Sequence, residues 1–271
     1  METTQKKTTK VAGIKNAGLV IIGCFGIALC IYFFMLGNPA NFVNNDPNNH
    51  PLPGNFLGMI YKGGVVVPVI QTLLLTVLAL SIERFFALRS AYGRGALVKF
   101  VKNIKEALSA GDMRKAQEIC DKQRGCVANV VTATLIKYEE MEKDTNLTKE
   151  QKILAIQKEL EEATALELPM MEQNLPIIAT ITTLGTLFGL LGTVVGMIRS
   201  FAALASGGGN ADSMALSQGI SEALINTAFG ILTGSLAVIS YNYYTNKIDK
   251  LTYSLDEVGF SIVQTFAATH K

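Results

Sequence analysis

Apolar and polar positions along the chain segregate into four long uncharged runs separated by charged or asparagine-rich stretches. Ala17–Leu36 and Gly63–Ile82 each extend for twenty residues without Asp, Glu, Lys or Arg, and Leu175–Ile198 and Ala223–Asn246 each for twenty-four. At about 1.5 Å rise per residue, about 20 residues cross a hydrocarbon layer, so each run predicts a membrane-spanning helix. Residues 83–173, between the second and third runs, carry most of the charge and show helical spacing. Val98, Val101, Ile104 and Leu108 recur at intervals of three and four, and Gly111-Asp112 supplies a stop followed by a cap. Thr148 with Gln151 forms a capping box ahead of Ile153, Leu154, Leu160 and Ala163. No strand alternation competes. Pro169 and Pro176 are expected to bend or interrupt the helix that leads towards the third run.

The pattern predicts an all-α, polytopic membrane protein with four transmembrane helices and a helical cytoplasmic domain. Residues 1–62 hold the amino terminus, an extra first span and an external loop, and 63–86 the second span. Residues 87–174 form the cytoplasmic domain, 175–246 a transmembrane hairpin and 247–271 a tail. Orientation follows from Lys and Arg near the spans. Lys6, Lys7, Lys10 and Lys15 precede the first run, Arg84, Arg89, Arg94, Lys99, Lys102 and Lys105 follow the second, and Lys247 and Lys250 follow the fourth. Gly37–Lys62 offers Lys62 alone, and Gly207–Ser213 has no base. Both termini are therefore expected in the cytoplasm. A basic leader and Pro39-Ala40 also give the first run the look of a cleaved signal, but its length exceeds the about 7 to 15 residues of a signal core, so it is expected to stay.

Composition sharpens the exclusions. The chain is 49% hydrophobic and 17% charged, against about 25% charged for soluble domains. With 24 Lys+Arg and 22 Asp+Glu the net charge is +2, which gives no global field for nucleic acid. Cys24, Cys30, Cys120 and Cys126 match no zinc or redox spacing, and His50 and His270 are too few for a histidine-based metal cluster. No nucleophile and base pair appears, and Gly207-Gly208-Gly209 lacks the lysine of a phosphate loop. Neither an enzyme nor a cofactor is expected.

The third and fourth runs carry stripes of small residues. Gly185, Gly189, Gly192 and Gly196 fall at offsets of 0, 4, 7 and 11; Gly219, Ala223, Thr227, Gly230 and Gly234 fall at 0, 4, 8, 11 and 15. Small residues let helix backbones approach closely in a membrane, which predicts a tight hairpin within an obligate bundle. Thr182, Thr186, Thr193 and Ser200 share another face. A single hydroxyl in an apolar helix ordinarily bonds back to the carbonyl one turn earlier, whereas a whole stripe is better explained by facing water. Counted from the helix ends beside residues 207–213, Thr193 and Thr227 each lie thirteen residues in, about 20 Å down. Arg199 and Glu222 lie seven and eight residues in, about 11 Å. An ionisable group within a span is costly unless it pairs, neutralises or meets water. Arg199 and Glu222 are thus candidates for a charge pair, within a chain or across a subunit boundary, the alternative being that each reaches outer water separately.

Gly189-Leu190-Leu191-Gly192-Thr193-Val194-Val195-Gly196-Met197, followed by Gly219-Ile220-Ser221-Glu222-Ala223-Leu224-Ile225-Asn226-Thr227-Ala228-Phe229-Gly230, closely resembles the paired signature of the MotA/TolQ/ExbB proton-channel family. The similarity includes Ser81-Ile82-Glu83-Arg84-Phe85-Phe86, spans residues 60–260 and leans to the ExbB and TolQ branch. The resemblance implies the large subunit of a bacterial inner-membrane proton channel or stator. In that scheme a homopentamer encloses a single-span partner of the ExbD or TolR type and drives a TonB-like energy transducer. Thr193, Thr227, Glu222 and Thr186 would then line the proton path, and Gly185, Gly189, Gly192, Gly196, Gly230 and Gly234 would serve helix packing. The residues suit that division, because none of the four runs has an Asp or Glu inside it and a hydroxyl serves either protonation state of a partner's carboxyl. Three features depart from the pattern. Gly185-Thr186 stand where a proline is common, Arg199 is charged where many relatives are neutral, and an extra span precedes the rest. A TolQ-like envelope-maintenance role, a gliding or flagellar-type stator and a non-conducting scaffold are the competing readings. A charged domain of about ninety residues favours envelope transport.

Overall fold

The computed structural model describes residues 16–206 and 213–269. The amino-terminal lysines, most of the connection at 207–213 and His270 lie outside the described residues. Nine α-helices and no named strand occur among the described residues, and four of the helices contain stretches long and apolar enough to cross a membrane. The chain divides into two units. Residues 14–82 and 174–242 form an apolar unit, and residues 83–173 and 243–271 belong to a charged unit.

In the apolar unit, α1 (Ala17–Cys30) is apolar all round and buries only the narrow line Ala17, Cys24 and Ala28. It runs on through a π turn, Ile31–Leu36. The carbonyls at this end lack helical partners, and the Asn41 side chain donates to two of them, Met35 and Leu36, at 3.0 Å each. Asn55 Nδ2 in turn donates to Asn41 Oδ1 at 3.1 Å, while Asn55 Oδ1 accepts from the Gly58 N–H and caps α2 (Phe56–Lys62). Tyr61 stacks on Tyr32 at 4.7 Å and meets the buried Phe42 edge-on. The asparagine-rich stretch expected to be a plain external loop is therefore a folded cap with a helix of its own. Its asparagines act as side-chain caps, which explains their density. Gly64, at φ +79, ends this segment in a conformation that suits glycine, and α3 (Val66–Tyr92) follows.

The charged unit packs α4 (Leu97–Ser109), α5 (Met113–Gln123), α6 (Gly125–Lys143), α7 (Lys149–Glu172) and the last part of α9 (Ser213–Thr269). Val101, Ile104 and Leu108 are buried as the spacing predicts, but Val98 is 82% exposed. In α7 Ile156 is fully buried while Leu154 is 63% exposed. The capping box at Thr148 and Gln151 forms in both directions. Residues 247–269 are no loose tail: Ile248, Leu251, Leu255, Val258, Ile262 and Phe266, spaced by threes and fours, are each at most 3% exposed and form part of the core. No disulfide joins any two of Cys24, Cys30, Cys120 and Cys126. Burial, helped by the Glu167 carboxylate, pushes the Cys126 thiol far up, as expected for an inert cysteine.

Pro169 lies inside α7, which ends three residues later. The break comes at Asn174, in the left-handed region at φ +68, and Pro176 then stands in the first turn of α8 (Leu175–Ser206), where its missing N–H costs nothing. The end of α7 is held by Arg84. Fully buried, Arg84 forks onto Glu83 through Nε and Nη2 and donates from Nη1 to the Met170 and Met171 carbonyls at 3.2 and 3.1 Å. A lysine keeps the charge and cannot reproduce the planar fork. Arg84→Lys is expected to lower the unfolding free energy by about 2 kcal/mol, which denaturant titration of the purified protein in detergent would read.

Candidate functional site

The hairpin of α8 and α9 is built on backbone contact. A Cβ placed at Gly185 would lie 3.0 Å from Gly234 N, one at Gly189 3.1 Å from Gly230 Cα, and one at Gly230 2.5 Å from Gly185 O and 2.6 Å from Gly189 Cα. Closer to the 207–212 connection, a Cβ at Gly196 would meet Ala223 Cβ at 2.5 Å and one at Gly192 would meet Asn226 Cβ at 2.4 Å. At the other end Gly234 faces Thr182 and Thr186, whose Oγ1 would lie 3.0 Å from an added Cβ. The two small-residue stripes thus face each other within one chain.

The hydroxyls divide into two groups. Thr182, Thr186 and Ser200 donate to carbonyls of their own helix, Ala179, Thr182 and Gly196, at 2.6, 3.4 and 3.0 Å. Thr193 does the same to Leu190 at 2.7 Å, whereas Thr227 donates across the hairpin to Gly189 O at 2.9 Å. A hydroxyl has one proton and two lone pairs, so in this arrangement both Thr193 and Thr227 have spent their donor and offer acceptors. Those two, and not Thr186, line a groove of about 860 Å³ whose walls are otherwise apolar, among them Leu190, Val194, Ile220 and Leu224.

Arg199 and Glu222 are absent from that groove. Arg199 lies at the turn between α2 and α3, where a Cβ on Gly64 would come 2.8 Å from its Nη1. No ion pair joins Arg199 to Glu222 among the described residues of the chain. Helical geometry keeps both out of the groove: Arg199 follows Thr193 by six residues and Glu222 precedes Thr227 by five, so at 3.6 residues per turn both turn away from it.

The sequence reading gave no role to Asn226. It is 2% exposed, packs against Gly192 and donates from Nδ2 to Gly63 O at 2.9 Å. The available signal was a carboxamide in an apolar run beside a threonine, and spacing alone does not say which backbone it meets.

Residues 128–257 match the model of the MotA/TolQ/ExbB proton channel family. The chain is 27% identical over 225 residues to the Tol-Pal system protein TolQ of Haemophilus influenzae, covering 76% of this chain and 96% of that one. It is 25% identical over 197 residues to an ExbB homologue of Methanothermobacter thermautotrophicus, covering 72% and 65%. An ExbB-like biopolymer transport protein of Synechocystis sp. is 36% identical over 86 residues, covering 31% and 41%. The match thus takes in less than two thirds of the length of the last two.

Proposed function

The chain belongs to the MotA/TolQ/ExbB proton channel family, and from that premise we propose that it is the large subunit of an inner-membrane complex that uses the proton gradient for transport or mechanical work at the cell envelope. The observation that carries this reading is the groove on the α8–α9 hairpin, apolar except for the hydroxyls of Thr193 and Thr227. An apolar groove of this kind accepts the single transmembrane helix of an ExbD- or TolR-like partner. That helix would bring the ionisable group that this chain's own apolar runs lack. Two hydroxyls whose lone pairs remain free suit the protonated state of a carboxyl, or a water beside it, and can turn to serve the ionised state by giving up a backbone bond.

Five copies around the partner would cover the exposed apolar faces of α8 and α9, with lipid covering the rest. Both termini and the charged unit lie in the cytoplasm in this scheme, and a TonB-like transducer draws on the motion of the partner. The size of the charged unit favours an envelope system over a gliding or flagellar-type stator, which needs a larger cytoplasmic torque domain.

A photo-crosslinking residue tests the groove. In place of Leu224, inside it, the residue is expected to capture a single-span protein in cells; in place of Ile22 on α1, 69% exposed, it is expected to capture none. Crosslinks from position 224 only to lipid or to other copies of this chain would overturn the reading.

A further inference from the structure

Asn226 and Thr227 are neighbours in α9 and face different things. Thr227 lines the groove, while the Asn226 amide is held by Gly63 O in the turn between α2 and α3. Asn226 also fills the space beside Gly192, the residue before Thr193. One side chain therefore touches the backbone next to both groove hydroxyls and ties them to a turn outside the hairpin. A second polar group points to the same place. Gln71 Oε1 of α3 is buried with no hydrogen-bond partner. Gln71 and Asn226 line one small cavity, with about 10 Å³ open to the centre of a water molecule. The walls of that cavity are apolar, so Gly63 O is the partner that holds the Asn226 amide.

Packing does not require a carboxamide here, since the rest of the hairpin contact is made by small residues, glycine, alanine, serine and threonine. A hydrogen bond from a helix to a fixed turn restrains rotation of that helix about its axis, and Thr227 follows Asn226 by about 100° of turn. We propose that Asn226 is a positioning residue: its bond to Gly63 holds α9 at the rotation in which Thr227 bonds Gly189 and presents its lone pairs to the groove. This rests on the channel reading above.

The experiment uses the whole complex in membranes. Asn226→Ala is expected to leave complex yield near wild type, to lower proton-driven transport about tenfold, the factor that goes with one buried hydrogen bond, and to change helix register. Register is read separately, as the alkylation rate of Leu224→Cys on the groove relative to Ile225→Cys beside it, by peptide mass spectrometry. The ratio should change severalfold in the Asn226→Ala background. Gly63→Ala attacks the same bond from the other side. Its backbone, at φ −58 and ψ −10, accepts alanine, and the new Cβ would lie 2.6 Å from Asn226 Oδ1, so the same shift is expected even if Asn226→Ala assembles poorly. Unchanged labelling ratios in both variants, or full transport in Asn226→Ala, would overturn the positioning role. If transport instead survives loss of both groove hydroxyls, it is the channel reading that fails.

Discussion

Replacing Thr193 and Thr227 together by valine is expected to abolish proton-driven work while leaving the complex assembled. Valine has nearly the shape of threonine, so the walls of the groove keep their packing. The backbone also tolerates the change. Thr193 donates to a carbonyl of its own helix, and Gly189 O, which accepts from Thr227, lies mid-helix and keeps its bond from the N–H four residues on. What disappears is the pair of lone-pair sites facing the groove. If a proton carried by a partner must be met there, its transfer loses the polar groups of that wall among the described residues, and a fall of a hundredfold or more is expected, about what a positioned proton-handling group contributes. Thr227→Ser, which restores an acceptor with more rotational freedom, should recover part of the flux. Proton uptake into vesicles carrying the complex measures this directly. Full flux in the double valine variant would remove the proton-path role and leave the scaffold reading in its place.

How far the sequence foretold this site can be argued residue by residue. The apolar runs, the stripes and the capping box at Thr148 were legible because each depends on local spacing, and the helix period converts spacing into a face. The groove pair Thr193 and Thr227 was legible from counting along two helices joined by a short connection. Arg199 and Glu222 show where counting stops. Counting along the helices does not by itself make a pair: six and five residues from the groove threonines, both side chains turn away from the groove, and no ion pair joins them within the chain among the described residues. Asn226 was illegible because its partner is a backbone carbonyl far off in the chain, 163 residues away. The folded asparagine cap escaped for a related reason: Asn41 and Asn55 bond to helix ends and to each other, and composition records only that they are polar. The core face of residues 247–269 was present in the sequence as a three-and-four pattern, masked by the charges interleaved with it.

The second large effect is expected at Gly230, and there the size of the residue matters less than what the new atom meets. A Cβ at Gly230 would lie 2.5 Å from Gly185 O and 2.6 Å from Gly189 Cα, both backbone. Neither can move without parting the two helices, which opens the remaining contacts at Gly185 and Gly189. Even Gly230→Ala is therefore expected to cost about 3 kcal/mol or more and to remove the assembled complex, with Gly230→Leu worse. At Gly192 the added atom meets the Asn226 side chain at 2.4 Å. That side chain can swing at the cost of its bond to Gly63, so Gly192→Ala should assemble and lose transport. Gly23→Ala and Gly26→Ala on α1, where nothing lies within 4 Å, serve as controls and should assemble as the wild type does. Complex yield and native mass in detergent rank the five variants. Wild-type assembly of Gly230→Ala would mean that the α8–α9 backbones do not lie in contact in the assembled protein, and the close hairpin on which the groove depends would have to be abandoned.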